Sequence, residues 1–349
     1  MLVLAMAFSS WLISFYIHHP MVEGSVYSDI VSFWHREPRL QAGLIPCLQY
    51  FFEYPPASCL ITYVSRMLGG GGLVGYYVVF SLLSLPAYIG IALTLKRFAG
   101  LTASLFVIAP SMVLYGVYNF DHFLSVFLIA SLLAYTRGRI GVSAFFLGLG
   151  FSVKLFTVLL LPILLAEVNE WRRRLHVLFH FIAGALPFWL PVLLLNPRWL
   201  PDFLSFHASW GLENSWIIWL SNNPFSPSSK FLGFLTAAIL VFRAYGASAS
   251  YESKAFLVLS GFLIGSPTFT PQMVLWLIPL IAANTRLWLW LPLLEAANAG
   301  IILTWFATDS PIMPWTPPQT MSLLRAAALI GMWMTVYRAA PIGLNHRQV

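Results

Sequence analysis

The chain has 349 residues, of which 59% are hydrophobic and 9% are charged, and its net charge is +7. A soluble domain carries about 25% charged residues, so this chain could not cover a water-facing surface. Its basic residues stand mostly singly between apolar runs, a pattern that orients helices in a bilayer and argues against nucleic-acid binding. The composition predicts an all-α polytopic membrane protein, embedded in the lipid bilayer, with residues 1–349 as a single transmembrane domain.

The first apolar segment, residues 2–17, has no basic leader and no A-x-A cleavage site, so we expect it to remain as the first span. The stretch 18–71 is too polar to cross, and its apolar part "PPASCLITYVSRML" is too short to span, which predicts an interfacial helix. Cys47 and Cys59 lie in this stretch. A disulfide between them is one option, but we expect two free thiols, and no Cys/His metal spacing is present.

Further apolar segments follow, bounded by charged or turn residues. The segment 140–168 is long enough for one span or for a hairpin of two short ones. A hairpin keeps Arg137 and Arg139 on the side of the Arg172–Arg174 cluster and places Lys154 at its far end, so we choose the hairpin. The chain then has about 12 transmembrane helices, and the segments after the first are 72–95, 101–117, 120–136, 140–168, 176–195, 231–247, 255–266, 273–284, 287–307 and 320–338.

The charge distribution tests this threading, because Lys and Arg gather on the cytoplasmic side of a membrane. With both termini in the cytoplasm, Arg325 lies inside the last span and the other basic residues divide twelve to six in favour of the cytoplasm. The twelve are Lys96, Arg97, Arg137, Arg139, Arg172, Arg173, Arg174, Arg243, Lys254, Arg286, Arg338 and Arg347; the six are Arg36, Arg39, Arg66, Lys154, Arg198 and Lys230.

Two long hydrophilic loops, 18–71 and 196–230, then share the extracytoplasmic face of the cell membrane with short turns at Asp121, Lys154 and Gln272. Polar residues that converge on one membrane face predict a functional site. An isolated carboxylate such as Asp29 can take the proton of an acceptor hydroxyl. One base is enough for an inverting displacement if the leaving group is a phosphate, and a phosphate requires a cation nearby, for which the outer candidates are Lys154, Arg198 and Lys230.

Five stretches together resemble the GT-C membrane glycosyltransferases, in particular the polyprenyl/dolichyl-phosphate-mannose-dependent mannosyltransferases of bacteria and archaea. They cover most of residues 1–285 in the expected order: "VYSDIVSF", "QYFFEYPP", "NFDHFLSVFLIASLLAYTRGR", "GLGFSVKLFTVLLLPILL" and "SPTFTPQMVLWLIPLI". The resemblance implies a GT-C type bundle with interfacial helices in the first outer loop. It also implies an inverting transferase that moves a hexose from a polyprenyl/dolichyl-phosphate sugar donor to a glycolipid or lipid-linked glycan acceptor. The hexose implied is mannose, and glucose would fit as well.

Carried over residue by residue, the resemblance makes Asp29 the catalytic base. Where the family usually has an Arg, this chain has Trp210, which leaves the donor phosphate to Lys154 or His207. The Asp-x-Asp metal motif of some GT-C enzymes is absent around Asp29, so we expect no metal and no cofactor. The residues expected to contact substrate are Tyr27, Glu53, Tyr54, Asp121, His122, Lys154, His207, Glu213, Asn214 and Gln272.

Structural alternatives stand beside these assignments. Asp29 could be a solvated loop acid, and Glu53 or Asp121 could favour a helix N-terminus. Lys154 could snorkel to the interface. For the whole protein, the alternatives are a lipid or glycan transporter (flippase) and a non-catalytic membrane assembly subunit. A transporter would need internal repeats and mid-membrane ionisable residues, and here only Glu295 and Arg325 lie mid-span.

Overall fold

The computed structural model describes residues 1–221 and 223–339. Asn222 of the second predicted loop, and the C-terminus with Arg347, lie outside the described residues. Within the described part the chain is helical, and extended pairing is confined to the isolated bridges Pro46–Tyr50 and Glu213–Thr268. The chain forms two compact units, residues 1–208 and 209–349. The single-domain prediction stays a prediction, because this division does not say whether either unit folds alone.

The first unit is built from helices joined by 3-10 segments at Leu105–Ile108 and Leu155–Leu160. The predicted separate span 101–117 is wrong as one continuous helix, because its residues are divided among a helix that runs from Leu73 to Ser104 with a kink at Gly100, the 3-10 segment Leu105–Ile108 and the short helix Pro110–Tyr115. The last helix of the first unit ends one residue into the second unit. The helices are α1 (Leu2–Ile17), α2 (Asp29–Arg36), α3 (Pro38–Gln41), α4 (Pro56–Leu68), α5 (Leu73–Ser104), α6 (Pro110–Tyr115), α7 (Asp121–Thr136), α8 (Ile140–Val153), α9 (Leu161–Ala166), α10 (Trp171–Leu195) and α11 (Trp199–Ser209).

The long helices are apolar around their whole circumference, so small and polar side chains decide which face packs inward. On α1, Trp11 points toward α5, where its Nε1 donates to the carbonyl oxygen of Ser81 at 2.7 Å and to Ser84 Oγ at 3.1 Å. On α10, large apolar side chains recur every three or four residues on an exposed face, which suits lipid and not water. They are Phe179, Ile182, Leu186, Leu190 and Leu194.

The segment 140–168 folds as a hairpin. Helix α8 ends at Val153, Lys154 is extended, and the chain returns along α8, so that Thr157 Oγ1 donates to the carbonyl oxygen of Leu147 at 2.7 Å. Helix α8 also lies very close to α10. A Cβ at Gly148 would stand 2.1 Å from the carbonyl oxygen of Phe181, so only glycine permits this approach.

The second unit has five helices in its described part, with 3-10 segments at Trp216–Leu220, Pro271–Trp276 and Thr285–Leu287. The helices are α12 (Pro227–Tyr245), α13 (Tyr251–Gly265), α14 (Ile278–Ala283), α15 (Leu291–Trp305) and α16 (Pro317–Ala339). Among the described residues of both units, three helical segments are long and apolar enough to cross a membrane: Leu73–Ile108, Trp171–Leu195 and Pro317–Ala339. The count of about 12 spans stays a prediction.

The guanidinium of Arg325 organises the interior of the second unit. It is fully buried and donates to Asn298 Oδ1 at 2.9 Å, to the carbonyl oxygen of Asn214 at 2.8 Å and to the carbonyl oxygen of Phe269. It also lies 3.7 Å from the centroid of the Phe269 ring. A mid-helix charge of this kind would be costly in lipid, and here it connects two loops to two helices.

Candidate active site

Asp29 is the first residue of α2. Its neighbour Ser28 is the N-cap: the Ser28 hydroxyl accepts a hydrogen bond from the backbone N–H of Ile30 at 3.2 Å and donates to the carbonyl oxygen of Tyr118 at 3.3 Å. Buried Ile30 and Phe33 hold the rest of the helix against the unit. These contacts fix where α2 begins, so Asp29 has a defined position beside the turn that precedes α7.

An asparagine amide joins the Asp29 carboxylate to a tyrosine hydroxyl. Asn119 Nδ2 lies 2.6 Å from Asp29 Oδ2 and 2.7 Å from Tyr54 Oη, and it donates to both. Asn119 is fully buried, whereas Asp29 and Tyr54 remain partly exposed. Three separate segments therefore meet around one carboxylate that solvent can still reach.

The surroundings of Asp29 raise the pKa of its carboxyl from 3.8 to about 6. Burial is the largest cause, and the negative charge of Glu53 adds to it. A hydrogen bond with the Tyr27 hydroxyl and the positive charges of Lys154 and Arg36 act in the opposite direction. A carboxylate with this pKa is mostly ionised at pH 7 and is more basic than a solvated loop acid, which suits it to accept a proton in a transition state.

A buried ion pair lies within the same group of residues. Lys154 Nζ is 2.8 Å from Oδ1 and 2.9 Å from Oδ2 of Asp121, and it lies 5.4 Å from the centroid of the Tyr54 ring. Lys154 is 5% exposed and Asp121 is 0% exposed. The snorkelling alternative for Lys154 is therefore wrong. Asp121 does start α7, as predicted, but it also balances the charge of a buried ammonium group.

A second ion pair involves Glu53 and Arg36, whose Oε1 and Nη2 are 2.9 Å apart. The residue that caps α4 is Pro55, without a side-chain bond, so the alternative in which Glu53 caps that helix is wrong. The Arg36 side chain is 48% exposed and lies over the Phe33 ring at 5.0 Å. It presents an accessible cation from the same helix that carries Asp29.

A disulfide joins Cys47 to Cys59, so the expectation of two free thiols is wrong. Their Cα atoms are 6.0 Å apart, a separation at which such bonds form, because the chain between them folds back on itself. That closed segment carries Glu53 and Tyr54. The bond therefore restrains the residues that face Asp29.

The segment leading into α11 holds the closed segment from the other side. Asn196 Nδ2 donates to the carbonyl oxygen of Cys47 at 2.9 Å, and Trp199 Nε1 donates to the carbonyl oxygen of Phe52 at 3.1 Å. Trp199 is fully buried, so its ring is available neither to lipid nor to a substrate. Its role in this structure is to fasten the first loop.

Comparison with solved structures relates this architecture to a known membrane protein. The crystal structure of ArnT from Cupriavidus metallidurans bound to undecaprenyl phosphate matches with a TM-score of 0.50 at 15% sequence identity, covering 96% of this chain and 76% of that chain. The chain has the GT-C fold. The apo state of the same ArnT gives a TM-score of 0.49 at 15% identity, covering 96% of this chain and 75% of that chain. No family model and no curated protein sequence matches the chain.

In this GT-C fold the two histidines that were predicted to contact substrate, His122 and His207, have different surroundings. His122 is fully buried in α7, 4.1 Å from the Phe123 ring and near Phe80, so it packs in an aromatic core. His207 is partly buried on α11, and its Nδ1 lies 2.8 Å from the carbonyl oxygen of Phe203. Because a carbonyl can only accept, Nδ1 carries the proton.

Burial also lowers the pKa of His207, so the ring is neutral at pH 7 and Nε2 is an acceptor. An acceptor suits a sugar hydroxyl and not a phosphate. The phosphate role considered for His207 is therefore disfavoured. Substrate contact by His207 and by the buried His122 stays a prediction.

Three other predicted residues belong to the second unit of the GT-C fold. The backbone of Glu213 pairs with that of Pro267 and Phe269, and its carboxylate accepts from Trp210 Nε1 at 3.1 Å. Asn214 is buried and supplies a carbonyl to Arg325, and Gln272 is 5% exposed. The substrate contacts of these three residues remain predictions, and the backbone of Asn214 helps to bind the buried Arg325.

Sequence reasoning missed Asn119 and gave no role to Arg36. From the sequence alone nothing is assigned to Asn119, and Arg36 counts only among the six outer basic residues. Their partners, Asp29 and Glu53, lie 90 and 17 residues away along the chain. Asn119 stands two residues before Asp121, at a turn between apolar segments. A polar amide at that place was the sequence feature that could have indicated a site residue.

Proposed function

We propose that this protein is an integral membrane glycosyltransferase that moves a sugar from a polyprenyl-phosphate donor to an acceptor hydroxyl, with inversion. The observation that carries the proposal is the partly exposed Asp29 carboxylate, whose pKa is raised to about 6 and whose position is fixed by Asn119. The undecaprenyl phosphate in the similar ArnT structure supports a polyprenyl-phosphate donor.

In the proposed reaction, Asp29 accepts the acceptor's hydroxyl proton as the acceptor oxygen bonds to the anomeric carbon. The bond from that carbon to the phosphate oxygen breaks, and polyprenyl phosphate leaves with the electron pair. A phosphate leaving group needs no general acid, so Asp29 can serve the proposed reaction as its base without a second catalytic carboxyl group. Arg36, half-exposed on α2, and Lys154 both act on the charge of Asp29, and they are the candidate cations for the phosphate charge.

The finer assignments rest on the sequence resemblance. We propose a hexose donor, with mannose first and glucose second, and a glycolipid or lipid-linked glycan as the acceptor. A dolichyl carrier would serve as well as another polyprenyl carrier, since the phosphate and the anomeric carbon are the same. The contacts expected of Tyr27, Glu53 and Tyr54 follow from their positions around Asp29.

The test is to incubate the purified protein with polyprenyl-phosphate mannose or glucose and a panel of lipid-linked acceptors, and to measure release of polyprenyl monophosphate. Acceptor-dependent release supports the proposal. A complete lack of release across donors and acceptors overturns it. Movement of an intact lipid-linked sugar across vesicles that contain the protein would instead favour the transporter alternative.

The raised pKa of Asp29 predicts a specific pH dependence. Because the base must be ionised, kcat/KM should fall tenfold per pH unit below about pH 6 and level off above it. A rate profile from pH 4.5 to 8 on reconstituted protein measures this limb. A limb near the ordinary aspartate pKa of 3.8 would contradict the environment described for Asp29.

We also propose that loops 18–71 and 196–230 lie outside the cytoplasm, with both termini inside. The twelve-to-six division of basic residues supports this, as does the Cys47–Cys59 disulfide, which suits an oxidising compartment. Because that bond occupies both native cysteines, a single added cysteine reports its own position.

Labelling of two exposed serines tests this topology. Ser25→Cys in the first loop should react in sealed cells with a membrane-impermeant maleimide. Ser248→Cys, between α12 and α13, should react only with a permeant one. The reverse pattern contradicts the proposed orientation.

A further inference from the structure

The side-chain amide of Asn119 has every hydrogen-bonding group engaged. Its Oδ1 accepts the backbone N–H of Phe120 at 2.5 Å, and its Nδ2 donates one hydrogen to Asp29 Oδ2 at 2.6 Å and the other to Tyr54 Oη at 2.7 Å. The orientation of this amide follows from chemistry, because a flipped amide would set its NH₂ against a backbone N–H.

We propose that Asn119 is a positioning residue for proton transfer: its amide holds the Asp29 carboxylate in one orientation and favours its ionised form. This inference rests on the proposed function, in which Asp29 is the base. Asn119 is fully buried and does not need to touch substrate to act. Its contact occupies Oδ2 and thereby limits rotation of the whole carboxylate.

The hydrogen bond from Asn119 lowers the pKa of Asp29. A hydrogen bond donated to a carboxylate stabilises the ionised form, so removing it raises the pKa. The other groups that act on Asp29 come from the same loop and from the hairpin: Glu53 disfavours ionisation, while Tyr27, Arg36 and Lys154 favour it. Since burial already raises the pKa of Asp29 to about 6, loss of the Asn119 bond would bring it to the physiological range or above.

Asn119→Ala is the first test, with the pH profile of kcat/KM as its readout. A hydrogen bond to a charged group corresponds to about 1–2 pKa units, so the acid limb should move up by that amount. At pH 7 the ionised fraction of Asp29, and with it the rate, should fall by about two- to tenfold, while the donor KM changes little. A purely structural role would reduce the amount of active protein without moving the limb.

Two further variants define the result. Asn119→Asp places a second carboxyl group beside Asp29. Because two adjacent carboxylates disfavour each other's ionisation, the acid limb of kcat/KM should move to a still higher pH than in Asn119→Ala. Asn196→Ala is the matched control: it removes an asparagine amide that binds the Cys47 carbonyl and does not contact Asp29, so its limb should stay near pH 6. If Asn119→Ala folds poorly, Asn119→Ser serves instead, because it keeps a small polar group.

An infrared titration separates this inference from the proposed function. At pH 7 the Asn119→Ala variant should show a protonated carboxyl band that disappears when Asp29→Asn is added, and the parent should show little of it. This measurement needs no turnover. An unmoved limb together with no such band overturns the role of Asn119. The band without transferase activity in the parent would leave the effect of Asn119 on the ionisation of Asp29 and remove the proposed function.

Discussion

Replacing Asp29 with asparagine should lower kcat by at least about a hundredfold, because a positioned base contributes about 10²–10⁴-fold to a proton-transfer step. The amide keeps the shape of the side chain but cannot accept the proton of an acceptor hydroxyl. Binding of the polyprenyl-phosphate sugar should persist, so single-turnover kinetics with saturating donor is the appropriate measurement.

The Asp29→Asn substitution should not lower the stability of the folded protein. The pKa of Asp29 is raised in the folded protein, so above pH 6 its charge costs the folded state more than the unfolded one. Asp29→Asn removes that cost, and the melting temperature should be equal to or higher than the parent's. Asp202→Asn, at an exposed carboxylate of α11, is the matched control and should retain activity. Turnover of Asp29→Asn within a few-fold of the parent would place the base elsewhere, with Glu53 the next carboxylate to test.

Lys154→Met should destabilise the protein strongly. In the parent, Lys154 Nζ lies 2.8 Å from Asp121 Oδ1, and the substitution leaves the Asp121 carboxylate buried without this ammonium group. Removing one partner of a buried ion pair costs about 3–5 kcal/mol. From the sequence, a lysine at an exposed hairpin end would be expected to affect donor use and leave stability nearly unchanged. Burial reverses that expectation. Thermal unfolding in detergent or nanodiscs, with expression level as a second readout, measures the loss.

The double variant Lys154→Met/Asp121→Leu separates stability from catalysis. Replacing both charges with apolar groups removes the unpaired ion, so much of the lost stability should return. If Lys154 also serves the donor phosphate, this variant should be folded but inactive. A folded and fully active double variant would restrict the ion pair to a structural role, and equal stability of the single and double variants would contradict the pairing itself.

Most helices were predictable because apolar length and flanking charge leave few alternatives in a bilayer, and an exception is 101–117, which is divided among three elements. The segments 2–17 and 120–136 correspond to α1 and α7 within one residue, and the extended Lys154 interrupts 140–168 where charge balance required a turn. Asp29 became a candidate through its place in the polar stretch after the first apolar segment and through the GT-C resemblance, and its role as the base stays a prediction.

The partners of these residues could not be predicted from sequence. The contacts of Asn119 with Asp29, and of Lys154 with Asp121, join residues 90 and 33 positions apart, and no spacing rule connects them. Helices that are apolar all round also give no amphipathic signal of which face is inside. The prediction of two free thiols failed for a different reason. Two cysteines 12 residues apart can be free or bonded, and the choice depends on whether the chain between them folds back.

The bond between Cys47 and Cys59 also sets an order of events during membrane insertion. On the proposed topology its thiols can be oxidised only after the first loop has been translocated, yet both cysteines precede α5, so the bond can close while later helices are still being synthesised. The redox state of this pair therefore records whether the first loop was translocated. Chains whose two cysteines react with a maleimide after denaturation have not completed translocation and oxidation of this loop, and their fraction measures the quality of any preparation independently of enzymatic activity.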